Sequence, residues 1–125
     1  MTDATNNVAT CAIAVSPDNS TYTTIATPGT SAREVNAACR RPIEDAGLGE
    51  HFRHRMGHGI GMDVHERPFI SAEDETPLEA GMTFTDEPSI IIPGRFSVRI
   101  EDIVVCEEGG GRVLNTYPSA LVANG

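Results

Sequence analysis

The spacing of apolar and polar positions separates one helical segment from a series of short strands. Ser31, with Glu34 three residues later, has the pattern of a capping box and predicts the start of a helix. Apolar side chains then recur at helical spacing, at Val35, Cys39, Ile43 and Ala46. Gly47 is a typical C-terminal stop, and Pro42 removes one backbone hydrogen bond. The pattern therefore predicts a helix over 31–46, bent near Pro42.

From residue 50 onward the pattern is typical of strands and loops. Apolar runs at 82–85 and 90–92, and a longer alternating run at 97–105, predict three strands. A closing strand is predicted at 112–115, after a turn of three glycines. One helix followed by antiparallel strands predicts an α+β fold.

The N-terminal segment is less regular than the rest of the chain. Residues 1–24 show no strong period, although Val8 to Val15 is a candidate strand. We therefore predict a poorly specified segment over 1–24 and a single domain over 25–125, in keeping with a length of 125 residues.

The charge composition argues against some classes of binding partner. The net charge is −9, from 18 acidic and nine basic residues, and every basic residue is arginine. An acidic surface argues against binding to nucleic acid or to an anionic membrane. The acidic excess without lysine suits a salt-rich cytoplasm, but biased genomic base composition would also remove lysine, and both explanations stay open.

The three cysteines indicate a reducing compartment. Cys11, Cys39 and Cys106 are odd in number and far apart, which favours free buried thiols over a disulfide framework. No leader opens the chain and no apolar run reaches membrane-spanning length. These features predict a soluble, cytoplasmic protein.

The strongest chemical signal lies in residues 54–66, where His54, His58 and His65 alternate with three glycines. Glu87 and Glu101 follow on predicted strands. Imidazole and carboxylate ligands on separate elements suit a divalent ion such as Mn, Co or Zn, and paired carboxylates can bridge two ions that share an activated water.

Local motifs of other enzyme classes do not fit. In the His-Glu-x-x-His zinc motif the second histidine would stand at Phe69, and Pro68 breaks the helix that this motif needs. The glycines at 57, 59 and 61 do not have dinucleotide-binding spacing, and neither a phosphate loop nor a nucleophile elbow is present.

Three blocks of sequence resemble the pita-bread-fold metallopeptidases, a family that includes aminopeptidase P, prolidase (Xaa-Pro dipeptidase) and the metal-independent creatinase. Residues 52–69 resemble the family's central histidine signature. Residues 81–90 resemble its Gly-Met-x-Phe-x-x-Glu-Pro-Gly block, and residues 98–102 its Val-Arg-Ile-Glu-Asp block. The resemblance covers roughly 22–118 and implies the C-terminal half of a pita-bread domain, with one main helix and antiparallel strands.

The resemblance implies a metal-dependent hydrolase that cleaves Xaa-Pro bonds of small peptides by means of a metal-activated water. It implies that His58 and Glu87 bind metal and that Glu101 bridges two ions, which would be Mn, Co or Zn.

The resemblance also assigns roles around the metals. His54 and His65 would line the substrate site, with His65 contacting the substrate carbonyl or the tetrahedral intermediate. Glu87 would act as the proton shuttle, so that His65 and Glu87 are the predicted catalytic residues. Arg99 would orient the carboxylates.

Two departures from the family pattern affect this interpretation. Ser89 replaces the usual glycine after Glu-Pro, which is a small change. The family's aspartate-rich block, which supplies two further ligands, has no counterpart, because Asp3 and Asp18 lack its surrounding pattern. We therefore expect an incomplete metal site. Either the chain is part of a longer enzyme, or a homodimer or a partner chain completes the site.

Two alternatives stay open. The chain would otherwise be a non-catalytic remnant that serves as a binding or oligomerisation module, with an exposed sheet edge that invites association. A creatinase-like, metal-independent amidinohydrolase with a histidine base is the other alternative, and the retention of Glu87 and Glu101 disfavours it.

Overall fold

A computed structural model describes residue 11, residues 24–118, and residues 120 and 122. In chain order the elements are helix α1 (Ala32–Asp45), a short 3-10 helix (Gly49–His51), and strands β1 (Gly57–Gly59), β2 (Glu66–Ile70), β3 (Thr83–Asp86), β4 (Ser89–Ile92), β5 (Phe96–Arg99), β6 (Asp102–Val105) and β7 (Arg112–Val113). The predicted α+β class is confirmed. The candidate strand from Val8 to Val15 lies outside the described residues apart from Cys11.

Helix α1 begins and ends close to the predicted positions. The Glu34 amide donates to the Ser31 hydroxyl at 3.2 Å, and the Glu34 carboxylate accepts from the Ser31 amide at 2.8 Å, which completes the capping box. Pro42 lies inside the helix, and Gly47 follows with a φ of +74°. The left-handed conformation of Gly47 ends the helix at low cost because glycine has no Cβ.

Five strands form one antiparallel sheet in the order β2-β1-β3-β6-β7, and β4 and β5 form a separate hairpin. Helix α1 contacts β2 and the 3-10 helix. The core between these elements is apolar, and its largest fully buried side chains include Ile43, Leu48, Met56, Ile70, Phe84 and Val104. No helix within the described ranges has the length and the apolar composition needed to cross a membrane.

The structure corrects the prediction of one continuous strand at 97–105. Strands β5 and β6 belong to different sheets and are separated by Ile100 and Glu101. Strand β6 pairs with β3, with Asp102 opposite Asp86, and strand β5 pairs with β4, with Arg99 opposite Ser89. The two pairs of strands have the same register. Continued across the gap, this register sets Glu87 opposite Glu101.

The gap between β5 and β6 has a local cause in the facing segment between β3 and β4. Pro88 has no backbone N–H and cannot donate to a ladder. The Glu87 amide donates instead to the Met56 carbonyl at 2.8 Å, which ties the interruption to the segment before β1. The interruption therefore places Glu87 next to the histidine-bearing strand. The predicted closing strand at 112–115 is shorter, and only Arg112–Val113 pairs as β7.

Candidate functional site

His58 lies at the centre of the candidate site, on the three-residue strand β1, and is 5% exposed. Its Nδ1 atom is 2.9 Å from the Gly59 carbonyl. Because a carbonyl only accepts, this contact requires the proton on Nδ1. The Nε2 atom, 3.0 Å from Glu87 Oε1, is then the nitrogen available for a shared proton or a bound cation.

Glu87 is held through both of its carboxylate oxygens. The Thr85 hydroxyl is 3.1 Å from Oε1, and Arg99 Nη1 is 3.3 Å from Oε2. Arg99 Nε donates in turn to the Ser89 hydroxyl at 2.6 Å. The serine that replaces the family's glycine therefore fixes the arginine that contacts Glu87.

Thr85 connects the glutamate to the histidine strand. Its hydroxyl oxygen accepts from the His58 amide at 3.1 Å, and its hydroxyl hydrogen is directed to Glu87. Thr85 is 1% exposed, so this bridge is shielded from water. Sequence reasoning missed Thr85, although it precedes Glu87 by two positions and side chains two apart in an extended chain share a face.

His54 and His65 complete an open cleft of about 500 Å³, lined by His54, Arg55, His58, His65, Glu87 and Arg99. His65 is exposed, and its ring centroid is 4.3 Å from that of His58. His54 packs edge-on against Phe52, and its Nδ1 donates to the Arg55 carbonyl at 2.7 Å. Five of the six predicted site residues therefore line this cleft, and Arg55 is an addition.

Glu101 is the predicted site residue that the structure places elsewhere. It is exposed and lines a neighbouring cleft of about 320 Å³, together with Arg99, Asp102 and the C-terminal segment. Its predicted role as a bridging ligand stays a prediction.

The fit of a metal ion can be judged from the donors that come together. His58 Nε2 and Glu87 Oε1 are of the types that Mn, Co and Zn accept. Within the part of the chain that the structure describes, however, no group of three or more His, Cys, Asp or Glu side chains is arranged to hold a metal ion. The donor types fit, but their number falls short of a complete site.

The glycines around His58 serve strand packing. A Cβ atom at Gly57 would overlap the Thr85 carbonyl, and one at Gly59 would overlap the Arg67 carbonyl. Strand β1 thus approaches β3 and β2 more closely than any side chain allows. This close approach brings the His58 amide within reach of the Thr85 hydroxyl.

A buried thiol, Cys39, interacts with Asp86, the residue that precedes Glu87. Burial raises the pKa of Cys39 well above its ordinary value, and the charge and hydrogen bonding of Asp86 raise it further. The Cys39 thiol is therefore protonated near neutral pH and acts as a small apolar group, not as a nucleophile. Cys11 and Cys106 are likewise buried and form no disulfide.

An antiparallel sheet that carries a histidine–glutamate pair beside an interrupted hairpin, with one covering helix, defines a partial pita-bread domain, as the resemblance implied. The family model described as "Metallopeptidase family M24" matches residues 18–108, and the chain belongs to this family.

Known proteins of similar sequence are named as peptidases. The chain is 48% identical over 95 residues to the "Probable dipeptidase PepE" of Mycobacterium tuberculosis, covering 76% of this chain and 25% of that protein. It is 46% identical over 97 residues to the "Xaa-Pro dipeptidase" of Pyrococcus furiosus, covering 78% of this chain and 28% of that protein.

Solved structures show the same fold. Dipeptidase PepE from Mycobacterium ulcerans matches with a TM-score of 0.79 and 47% identity over 91% of this chain and 31% of that one. An X-Pro aminopeptidase from Thermotoga maritima matches with a TM-score of 0.81 and 37% identity over 88% and 31%. The chain thus spans about a quarter to a third of the length of these relatives.

Proposed function

We propose that this chain carries the histidine–glutamate part of a metal-dependent peptidase site that cleaves Xaa-Pro bonds in small peptides. The observation that carries the proposal is the contact of 3.0 Å between His58 Nε2 and Glu87 Oε1. These atoms belong to two of the three blocks that resemble the family. The names of the relatives from Pyrococcus furiosus and Thermotoga maritima support the Xaa-Pro specificity.

In this proposal the chain's own residues bind and orient. His58 and Glu87 supply two ligands, Thr85 and Arg99 hold the Glu87 carboxylate in place, and His65 at the open side of the cleft contacts the peptide. A divalent ion, when bound, supplies an activated water. Glu101 and acidic ligands from another segment or another chain would complete a two-ion site, and a second copy is one candidate partner.

The three buried cysteines form no disulfide, which supports a reducing compartment, and we propose the cytoplasm as the location. We further propose that the domain extends over 25–125.

The proposal is tested by Co²⁺ binding and peptide hydrolysis. We expect the purified chain to bind Co²⁺ weakly in equilibrium dialysis, and we expect His58→Ala and Glu87→Gln each to weaken this binding at least tenfold. His51→Ala is the control, because His51 lies outside the cleft. Absence of bound Mn²⁺, Co²⁺ or Zn²⁺ in excess metal, or equal binding by the His58 variant, would refute the proposal for this chain.

A second candidate function is a non-catalytic binding or oligomerisation module. The lack of a three-donor cluster within the described ranges favours it. Hydrolysis of Ala-Pro in the presence of metal distinguishes the two functions. Turnover that falls at least 100-fold in Glu87→Gln supports the peptidase, and metal binding without any turnover supports the module.

A further inference from the structure

A second, positively charged cleft adjoins the candidate site. It has a volume of about 220 Å³, and its lining includes Asn36, Arg40, Arg53, His54, Arg55 and Glu73. His54 and Arg55 line both this cleft and the His58–Glu87 cleft, so the two clefts are adjacent. We call it the arginine cleft.

The charge of the arginine cleft is opposite to that of the chain as a whole. The net charge of the chain is −9, yet three of its nine arginines meet here against one acidic residue, Glu73. Ion pairs in the described part of the chain hold other arginines, and none of these pairs involves Arg40, Arg53 or Arg55. The three guanidinium groups therefore form no direct ion pair with a carboxylate among the described residues.

Aromatic rings and a backbone carbonyl, not carboxylates, hold the guanidinium groups of the arginine cleft in place. The Cζ atom of Arg40 lies 4.3 Å from the centroid of the Phe52 ring, and that of Arg55 lies 4.5 Å from the Phe69 centroid. Arg53 Nε donates to the Glu50 carbonyl at 3.1 Å. Stacking uses the face of a guanidinium and leaves its N–H donors in the plane, where they can bind an oxyanion in bidentate fashion.

Buried polar groups accompany the arginines. Asn36 is 4% exposed and lines the cleft. His54 Nε2 is buried and has no hydrogen-bond partner among the described residues. A buried polar atom without a partner is costly, and a ligand in the cleft would satisfy it.

We propose that the arginine cleft binds an oxyanion, and that its ligand is a carboxylate of the peptide that occupies the adjoining site. Inorganic phosphate shares the same chemistry and is the alternative source. Only the assignment to a peptide carboxylate rests on the proposed function, because the oxyanion site itself is independent of metal and of turnover.

The test is a titration of the ¹⁵N-labelled, metal-free chain at constant ionic strength, followed through the arginine Nε–Hε signals. The probes are inorganic phosphate, Ala-Pro and Ala-Pro amide. We expect saturable shifts of the Arg40 and Arg53 signals with Ala-Pro, and at least tenfold weaker binding of Ala-Pro amide. Saturation by phosphate together with equal, weak binding of both peptides would overturn the peptide assignment.

Charge variants test the site itself. Arg53→Gln, at an exposed position, and the double variant Arg40→Gln/Arg53→Gln should weaken binding of the saturating anion at least fivefold and tenfold, respectively. Glu73→Gln should strengthen it at least twofold, because it removes the acidic residue of the cleft. Arg112→Gln, outside the cleft, is the matched control. Unchanged affinity in Arg53→Gln and Glu73→Gln, or no saturable shift in the wild type, would overturn the proposal without bearing on the Co²⁺ experiment.

Discussion

At the scale of single residues, one hydroxyl group joins the two proposed metal ligands. The Thr85 hydroxyl accepts from the His58 amide and donates to the Glu87 carboxylate, and the side chain is almost fully buried. Valine has nearly the same shape but no hydroxyl, so Thr85→Val leaves the His58 amide without this acceptor. Such a loss costs about 1–3 kcal/mol.

We therefore expect Thr85→Val to lower the free energy of unfolding by about 1–3 kcal/mol and to weaken Co²⁺ binding through the freed Glu87. Urea denaturation measures the first effect and equilibrium dialysis the second. Thr83→Val is the matched control, since Thr83 lies on the same strand and outside the cleft. Equal stability of the Thr85 variant and the wild type would show that the bridge is not formed in solution.

The sequence predicted which residues belong to the candidate site better than it predicted the contacts that hold them in place. His54, His58, His65, Glu87 and Arg99 were found from motif blocks, and the structure brings them to one cleft. Thr85 and Arg55 have no signature of their own, because threonine and arginine are common in strands and loops. Their roles depend on which strand lies beside them, and sequence spacing alone does not supply that information.

At the scale of elements, Asp74 fastens the turn between β2 and β3 to its neighbours. Its carboxylate accepts from the Phe69 amide at 2.8 Å and from the Thr76 amide at 3.0 Å. Its backbone carbonyl accepts from the Arg33 amide at 2.8 Å, in the first turn of α1. Burial alone raises the pKa of this carboxyl, but hydrogen bonds from Thr76 and Phe69 and the charge of Arg67 outweigh it, so the net pKa is lowered.

A carboxyl group whose pKa is lowered by folding stabilises the protein most above its ordinary pKa. This contribution is present at neutral pH and is lost as the pH falls through the lower folded value. We expect Asp74→Asn to be less stable than the wild type at pH 7, and the difference to shrink below the ordinary value of 3.8. Urea denaturation across this range measures the difference. Glu79→Gln, at an exposed position, is the control, and a constant difference for Asp74→Asn would contradict the assignment.

Elements were predicted accurately where their causes lie within the segment itself, and poorly where the causes lie in neighbouring strands. Helix α1 was predicted almost to the residue, because its capping box and its glycine stop lie within the segment. Strand β1 was not predicted, since Gly57–Gly59 has poor strand propensity and exists only through its two neighbours. The break at 100–101 lies opposite Pro88, between β3 and β4, which an inspection of 97–105 alone does not reveal.

At the scale of the whole molecule, the fold class and the family followed from the order of the blocks, whereas the arrangement of the candidate site did not. The register of the hairpin sets Glu87 opposite Glu101, yet the Glu101 side chain lines the neighbouring cleft. The exposed Glu101 side chain therefore leaves its bridging role a prediction. The sequence blocks give the order of the candidate ligands, but the register between the two segments and the cleft that each side chain lines come only from the fold.

The net charge of −9 predicts how the folded chain responds to salt. Like charges repel one another more strongly in the compact state, and added salt screens this repulsion, with a Debye length of about 10 Å at 0.1 M and about 3 Å at 1 M. We therefore expect NaCl to raise the melting temperature at pH 7, on the order of 4 °C for each kcal/mol gained. Differential scanning calorimetry at increasing NaCl measures this.

The same titration near the acidic pH at which the net charge is zero is the control, because the repulsion is absent there and the increase should vanish. A melting temperature that falls with salt at pH 7 would mean that ion pairs such as Arg112–Glu107, 2.7 Å apart, outweigh the net repulsion. Surface pairs of this kind contribute about 0–1 kcal/mol each and are screened by the same salt. An increase at pH 7 alone would show that the unbalanced carboxylates, and not the ion pairs, dominate the electrostatics of this chain.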